Sequence, residues 1–206
     1  MNISILGAGH AGTAVAADLS LRGHEVPLIK TSHAMHDENF NYLLENDGRV
    51  CLVEEGKKQW ANIAHITRDL SCLGESEIVI IYIQSNYHEA LIKRIRPYLR
   101  GRQILLLNPG YLSTAYVLKH CAVIDLTIVE AQSSFIDCRI MEPGIVKILF
   151  RNVRNPLGIF PRSHSKRTET MLNQLGFPFV YLSSVVEAAL HNPNLIVHTV
   201  GAIMSI

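Results

Sequence analysis

Three glycines near the start of the chain are spaced so that a backbone turn can hold a phosphate group. Gly7, Gly9 and Gly12 follow the pattern Gly-x-Gly-x-x-Gly, with His10 and Ala11 between the last two. The first glycine allows a tight turn, the second lets the backbone approach a pyrophosphate, and the third lets a helix pack closely on a strand. The amides of His10, Ala11 and Gly12 would begin that helix, where unpaired N–H groups attract anions. The pattern therefore predicts a dinucleotide site.

The elements around these glycines distinguish a binding site from an ordinary glycine-rich turn. Residues 2–6 form an apolar run that predicts a strand, and residues 11–22 have the spacing of a helix that ends at Gly23. A glycine-rich turn between a strand and a helix is typical of domains that bind nicotinamide dinucleotides. We therefore predict such a cofactor, held by the backbone of the turn rather than by the side chain of His10.

The end of the second predicted strand indicates which dinucleotide is used. Domains that prefer NAD carry an Asp or Glu about 20 residues after the turn, where it binds the ribose hydroxyls. Here that position is Lys30, followed by Thr31 and Ser32. A cation and two hydroxyls suit a 2′-phosphate, so we predict NADP in preference to NAD. The alternative is an ordinary solvated lysine at a strand end.

Polar side chains at the ends of later predicted strands are further candidate site residues. Gln84 and Asn108 directly follow apolar runs, and Glu130 ends another. Open α/β sheets bind ligands at this edge. We therefore expect Gln84 to contact the cofactor, Asn108 to lie near the nicotinamide, and Glu130 to take part in catalysis. The alternatives are loop capping for Gln84 and Asn108 and a solvated carboxylate for Glu130.

The order of the predicted elements indicates the fold. Apolar runs of strand length alternate with segments of helical period, which favours a parallel sheet with helices on its faces. We predict an α/β protein with a Rossmann, doubly wound and mostly parallel sheet. The predicted strands are residues 2–6, 26–30, 50–53, 63–67, 77–83, 103–107, 124–130 and 179–182, with a hairpin formed by 145–150 and 157–160. The predicted helices are residues 11–22, 40–45, 87–99, 113–119 and 164–175.

A second domain is predicted to begin near the end of the sequence. Ser184 and Glu187 have the spacing of a capping box, which starts a helix, so residues 1–182 form the dinucleotide-binding domain and residues 183–206 the incomplete start of an all-α domain. Pro193 cannot donate a backbone hydrogen bond, so the helix must bend or restart there. The remaining residues are too apolar to face water. We therefore expect either that the natural chain continues or that a partner subunit, as in a homodimer, covers them.

The composition excludes several classes of partner. The 206 residues carry a formal net charge of +1 with no cluster of Lys and Arg, so we expect no binding to nucleic acid or to an anionic membrane. No apolar run is long enough to span a bilayer and the start lacks a signal-peptide pattern, so we expect a cytoplasmic protein. The four cysteines lie far apart, which predicts buried free thiols and no metal site. A small molecule is the expected partner.

Several stretches of this sequence resemble the opine dehydrogenases, a family that includes octopine and nopaline dehydrogenases. The most specific is Asn192-Pro-Asn194-Leu-Ile-Val-His198, which is similar to the Asn-x-Asn-x-x-x-His segment that opens the helical second domain of that family. The resemblance covers nearly the whole chain. The other similar stretches are Thr67-Arg-Asp69, His88-Glu89, Leu107-Asn108-Pro-Gly110 and Val129-Glu130-Ala-Gln-Ser-Ser134 with Arg139 after it.

The resemblance implies a reductive condensation, in which a 2-oxo acid and an amino acid form an imine that the reduced nicotinamide cofactor reduces. It also implies that His198 is the general acid/base, a role suited to an imidazole whose ordinary pKa is about 6.5. Asn194 lies one helical turn earlier, on the same face, and would orient the substrate. The later residues that pair with this histidine in the family have no match in this sequence, so its substrates stay unnamed.

Two other functions remain open at this point. A related reductase of 2-oxo or 2-hydroxy acids would share the dinucleotide-binding domain, but such enzymes often carry a lysine where this sequence has His198. A dinucleotide-binding protein without chemistry is the expectation if the natural chain ends at Ile206. The structural alternative for His198 itself is a histidine whose ring nitrogens are satisfied locally.

Overall fold

The computed structural model describes residues 1–32, 35–191 and 193–204, except for the side chains of 193–196 and 198. The strands of this part of the chain are β1 (Ile3–Leu6), β2 (Pro27–Ile29), β3 (Arg49–Glu54), β4 (Lys57–Asn62), β5 (His65–Thr67), β6 (Ile78–Ile81), β7 (Ile104–Leu107), β8 (Thr127–Ala131), β9 (Ile136–Glu142), β10 (Ile145–Arg151), β11 (Asn155–Phe160) and β12 (Phe179–Tyr181). The α-helices are α1 (His10–Leu21), α2 (Asp37–Glu45), α3 (His88–Ile95), α4 (Thr114–Cys121), α5 (Ser165–Asn173), α6 (Val185–Leu190) and α7 (Pro193–Met204).

The main sheet has the strand order of a doubly wound dinucleotide-binding fold. Its eight strands lie in the order β12-β11-β8-β7-β6-β1-β2-β5. The six strands from β5 to β8 run parallel, while β11 pairs antiparallel with β8. The chain moves outward from β1 in one direction and then resumes beside β1 at β6, so the order reverses between these two strands. This confirms the predicted α/β fold and places a ligand crevice at the reversal.

The centre of the main sheet is buried on both faces. Every residue of β1, β6 and β7 is buried, as the unbroken apolar runs in the sequence predict. Helix α1 covers one face of the sheet, and α3 and α4 cover the other. The two apolar clusters hold the carboxyl ends of the strands in fixed positions, and the candidate site residues follow these ends.

A second, four-stranded sheet packs on the outer side of α1. Its strands lie in the order β4-β3-β10-β9, and its apolar face joins the same core cluster as α1. The predicted hairpin of residues 145–150 and 157–160 is therefore wrong, because β10 pairs with β3 and β9 in this sheet whereas β11 pairs with β8 in the main sheet. Alternating apolar residues show that a strand has a buried face, but they do not specify its partner.

The predicted helix ends are confirmed by the backbone. Gly23 and Gly176 follow α1 and α5 with φ of +83° and +73°, a region that glycine enters without strain. The Ser184 hydroxyl accepts a hydrogen bond from the Glu187 amide at 3.1 Å and so caps α6. Helix α6 ends before Pro193 and α7 begins at it, so the chain restarts there, as expected. The boundary at 182/183 stays a prediction.

The cysteines are free, and most of them are buried. All four thiols are free, and Cys51, Cys121 and Cys138 are buried as predicted, whereas Cys72 is half-buried. Burial raises the pKa of Cys138 to about 12, which keeps its thiol protonated and unreactive. Among the described helices, none combines the length and the apolar character that crossing a bilayer requires.

Glu89 connects α3 to α4 and is expected to make stability depend on pH in acid. Its carboxylate accepts hydrogen bonds from His120 Nε2 at 2.8 Å and Lys119 Nζ at 3.0 Å, which lower its pKa from 4.5 to about 2. Because the folded-state pKa is below the unfolded one, this stabilisation is complete above about pH 4.5 and is lost as the pH falls toward about 2.

In urea titrations, Glu89→Gln should be less stable than the parent at pH 7 and should converge with it near pH 2. Glu45→Gln, at the exposed end of α2, is the matched control. An unchanged pH profile in Glu89→Gln would contradict this assignment.

Candidate functional site

A deep cavity lies at the reversal point of the main sheet. It opens at the carboxyl ends of β1, β2 and β6 and has a volume of about 560 Å³, which is in the usual range for small-molecule sites. Its walls are mostly apolar. The lining residues are Gly7, Ala8, Gly9, Lys30, Thr31, Ser32, Met35, His36, Tyr82, Ile83, Gln84, Tyr87, Ala90, Leu91 and Arg94.

The glycine-rich turn is built so tightly that only glycine fits at two of its positions. Gly7 has φ +116°, and a Cβ there would lie 2.2 Å from the Tyr82 carbonyl oxygen. A Cβ on Gly12 would lie 1.8 Å from the Gly7 carbonyl oxygen, so the first turn of α1 packs directly against the loop. Gly9 faces the cavity. The first helical hydrogen bond runs from the Thr13 amide to the Gly9 oxygen at 3.0 Å, so the amides of residues 10–12 have no helical acceptor.

The His10 side chain points away from the cavity and connects α1 to the second sheet. Its Nδ1 accepts a hydrogen bond from the Ile140 amide at 2.9 Å, which fixes the neutral tautomer with the proton on Nε2. Burial, the nearby His36 and Arg139 lower its pKa. His10 and Ala11 are not among the lining residues, which agrees with the expectation that they contribute backbone amides.

Lys30 and Thr31 line the cavity where the sequence predicts the adenosine ribose. The Lys30 ammonium is buried and donates to the Met35 carbonyl oxygen at 2.6 Å, and it lies 3.2 Å from Asp37 Oδ1. Arg68 also pairs with Asp37, at 2.8 Å, and its hydrogen bond is the largest cause of the lowered Asp37 pKa. Asp37 is therefore an acidic residue near the predicted ribose position, but its carboxylate is paired with both Lys30 and Arg68.

Arg94 is a cavity residue that sequence reasoning missed. It lies in the last turn of α3, is exposed, and its guanidinium donates to the Thr31 carbonyl oxygen at 2.6 Å. It therefore places a positive charge beside the Lys30–Ser32 segment. No local pattern indicates this role, because an exposed arginine near the end of a helix is common and the contact spans 63 residues of sequence.

Gln84 and Asn108 are both associated with Tyr82, a residue of the cavity wall. Gln84 lines the cavity itself, as does Tyr82. Asn108 is buried behind them and donates from Nδ2 to the Tyr82 hydroxyl at 2.8 Å. Among the described residues, its Oδ1 has no hydrogen-bond donor. An unpaired buried acceptor is costly, so this oxygen marks a position where a ligand N–H group would be stabilised.

A buried histidine holds the loop that follows Asn108. His88, the first residue of α3, is fully buried, with Nε2 3.1 Å from the Ile83 carbonyl oxygen and Nδ1 2.7 Å from the Ser113 hydroxyl. Because a carbonyl can only accept, Nε2 carries the proton and Nδ1 accepts from Ser113. Burial lowers the pKa of His88, which keeps it neutral in this arrangement. The imidazole thus connects the loops after β6 and β7.

Glu130 does not face the cavity. Its carboxylate is fully buried and accepts hydrogen bonds from the Leu112 amide at 2.8 Å and from the Thr114 amide and hydroxyl, both at 2.7 Å. The carboxylate thereby caps the start of α4. The expectation of a solvated strand-end carboxylate is wrong, because loop 108–113 covers it. This arrangement favours a structural role over the catalytic one that the sequence suggested.

The two remaining candidates lie on the last helix. Asn194 and His198 both belong to α7, which follows α6 after the restart at Pro193. The side chains of Asn194 and His198 lie outside the part of the chain that the structure describes. Their predicted substrate and acid/base roles stay predictions.

Comparison with known proteins identifies similar sequences. A family model described as ketopantoate reductase PanE/ApbA matches residues 3–135. An opine dehydrogenase from Arthrobacter sp. (strain 1C) is 23% identical over 210 residues, which cover 98% of this chain and 56% of the relative. The chain thus spans about half the length of this curated relative. The resemblance to opine dehydrogenases that the sequence indicates is confirmed.

Solved structures with the same fold come from the same two groups. An octopine dehydrogenase with NADH and L-arginine has a TM-score of 0.75 and 16% identity, over 95% of this chain and 52% of that one. A yersinopine dehydrogenase with NADP+ bound has a TM-score of 0.74 and 16% identity, over 96% and 51%. A PanE/ApbA family ketopantoate reductase from Ralstonia eutropha has a TM-score of 0.65 and 19% identity, over 89% and 57%.

Proposed function

Because the chain belongs to the ketopantoate reductase PanE/ApbA family, we propose that it is the cofactor-binding part of a nicotinamide-dinucleotide-dependent oxidoreductase. The observation that carries this proposal is the turn from Gly7 to Gly12, which opens into the cavity at the reversal of the sheet. Its free amides face the position where a pyrophosphate would lie. The described residues 7–9 of this turn line the cavity directly.

The glycine-rich turn and the residues around Tyr82 suit the two ends of a nicotinamide dinucleotide. The close contact of Gly12 with Gly7 leaves Gly9 as the surface that meets the phosphates. The unpaired Oδ1 of Asn108, whose Nδ2 donates to the hydroxyl of the cavity residue Tyr82, would accept a hydrogen bond from the nicotinamide carboxamide. When bound in its reduced form, the cofactor supplies a hydride. The protein contributes the fixed amides, the apolar walls that exclude water, and the position of the loop that His88 holds.

The proposed reaction is that of an opine-type dehydrogenase acting on a C–N bond. A 2-oxo acid and the amino group of an amino acid condense with loss of water, and the resulting imine accepts a hydride and a proton. The similarity to the Arthrobacter opine dehydrogenase over 98% of this chain supports this choice. His198 would hold and release the proton, and Asn194 would orient a substrate polar group. We place catalysis between this domain and the residues from 183 onward, in a cytoplasmic homodimer.

A reductase of 2-oxo acids is the second candidate. The match of residues 3–135 to the ketopantoate reductase family favours it, because this match covers the dinucleotide-binding domain. That reaction needs no amine: the hydride and a proton convert the 2-oxo group into a hydroxyl. The two candidates share the cofactor site, so they differ only in the requirement for an amine.

The assay follows NADPH oxidation by the complete gene product with pyruvate and a panel of amino acids. Turnover that depends on both substrates supports the opine-type reaction. Turnover with a 2-oxo acid alone supports the second candidate. Cofactor binding without any turnover would contradict both reactions and would leave a dinucleotide-binding protein.

We further propose that the cofactor is NADP rather than NAD, with Arg94 as the residue that discriminates. Lys30 gives the site its cationic wall but is paired with Asp37, whereas Arg94 is exposed on the cavity rim. A charge-assisted hydrogen bond to the 2′-phosphate is therefore expected from Arg94.

In fluorescence titrations, Arg94→Ala should weaken NADPH binding about tenfold and NADH binding less than about twofold. Arg96→Ala, outside the cavity, is the matched control. Equal losses for both cofactors would contradict this role.

A further inference from the structure

The ring of His36 lies directly over the glycine that faces the cavity. A Cβ built on Gly9 would meet the ring at Cδ2, 3.6 Å away, and at Nε2, 3.9 Å away. The ring also packs edge-on against the His10 ring, with centroids 4.5 Å apart. His36 therefore covers the surface of Gly9 that a pyrophosphate would have to approach. The three glycines act through the backbone, so the turn itself does not require an imidazole beside Gly9.

The backbone and the ring of His36 leave it able to bind a ligand. His36 precedes α2 with φ +63°, in the left-handed region, and its side chain does not cap the helix. The ring lines the cavity. Within the described residues its two nitrogens make no hydrogen bond, although they lie close to a surface built for an anion. An imidazolium at this point would have a donor available for a phosphate oxygen.

We infer that His36 is a phosphate-binding residue of the dinucleotide site, whose imidazolium closes over Gly9 and donates a hydrogen bond to the cofactor pyrophosphate. This inference rests on the proposed function, because it requires that a dinucleotide occupies the cavity. It adds a side-chain ligand to a phosphate site that is otherwise made of backbone amides. It also gives a binding role to His36, which precedes α2 in a stretch that the sequence predicts as a loop.

The charges around His36 indicate how its proton responds to the cofactor. Burial and the ammonium of Lys30 lower the pKa of His36 in the free protein, so the ring is neutral at neutral pH. His10 does not compete for this proton, since its Nδ1 already accepts from Ile140. Two pyrophosphate charges beside the ring would raise its pKa. Two titratable groups act on the ring directly, namely His10 on α1 and Lys30 after β2. The charged groups on neighbouring elements are Asp37 on α2, which pairs with Lys30 and with Arg68 after β5, Arg94 in the cavity lining, and Arg139 on β9 near His10.

Binding should therefore take up a proton. A pKa that is higher in the bound than in the free protein makes the affinity greatest at low pH and weaker as the pH rises through the bound-state pKa. A shift of one pKa unit corresponds to a tenfold change in affinity. We accordingly expect NADH to bind roughly threefold more tightly at pH 6.0 than at pH 8.5, because the full tenfold difference is reached only below the free-state pKa. NADH is the appropriate probe because it lacks the 2′-phosphate, which itself titrates in this range.

The test compares NADH binding by the parent, His36→Gln and His65→Gln across this pH range. His65 is exposed at the amino end of β5, whereas the cavity opens at the carboxyl ends of the strands, so His65→Gln should behave like the parent. His36→Gln should bind NADH roughly threefold more weakly than the parent at pH 6.0, nearly normally at pH 8.5, and without a pH slope between them. A parent slope that survives in His36→Gln would overturn the inference, as would a parent without a slope.

Proton NMR of the parent supplies a readout that does not depend on the variant's folding. The His36 ring signal, identified by its loss in His36→Gln, should titrate about one pH unit higher with NADH bound than without it. Equal midpoints would contradict the role of His36 and would leave the proposed function intact, provided that NADH binds. Failure of NADH and NADPH to bind the parent at any pH would instead contradict the proposed function itself.

Discussion

Gly12→Ala is expected to weaken dinucleotide binding strongly, although alanine is the better helix former. The added methyl group would lie 1.8 Å from the Gly7 carbonyl oxygen, which is far inside van der Waals contact. Backbone must therefore move, either by lifting the first turn of α1 or by displacing the Gly7 turn. Either movement takes the amides of residues 10–12 away from the phosphates. We expect affinity for NADH and NADPH to fall about 100-fold, with a loss of folding stability of roughly 1–3 kcal/mol.

Gly201→Ala is the control for this substitution. Gly201 is also helical, in α7, but a Cβ there meets no atom within 4 Å. The same chemical change should therefore leave cofactor affinity unaltered and stability equal or higher, since alanine favours the helix by about 1 kcal/mol. Isothermal titration calorimetry and urea unfolding measure the two effects. Normal affinity in Gly12→Ala would mean that the turn does not hold the phosphates.

His198→Ala is expected to have the largest effect on turnover. General acid/base catalysis contributes roughly 10²- to 10⁴-fold to a rate, so kcat of the complete gene product should fall by about 10²-fold or more. Cofactor affinity should not change, because the role proposed for His198 is to transfer a proton and not to hold the cofactor. Stopped-flow measurement of NADPH oxidation gives kcat, and fluorescence titration gives the affinity.

The pH profile separates a chemical from a structural role for this histidine. If His198 carries the proton, kcat/KM of the parent should show a limb near its pKa, and this limb should be missing in the residual activity of His198→Ala. His191→Ala serves as the control, since its side chain is 70% exposed at the end of α6. Unchanged turnover in His198→Ala would remove His198 from the mechanism and would favour a residue beyond Met204 or the second candidate reaction.

Much of the fold follows from patterns that are local in the sequence. The apolar runs that became β6 and β7 could be recognised because a strand buried on both faces needs no alternation. β4 was missed because its residues 57–62 are mostly polar and its pairing with β3 is visible only in three dimensions. The hairpin of 145–150 with 157–160 failed for the same reason: two apolar strands adjacent in sequence joined different sheets.

By itself, the sequence determined the glycine-rich turn and the strand and helix that flank it. The spacing of the glycines between a strand and a helix is sufficient to predict this turn, because the positions of its amides depend only on the backbone. Tertiary structure alone decided which side chains reach the cavity. It paired Lys30 with Asp37, buried Glu130 under loop 108–113, and brought His36 over Gly9 and Arg94 to the rim. Electrostatic contacts depend on distance in space, and these partners come from segments whose relative positions only the packed sheet defines.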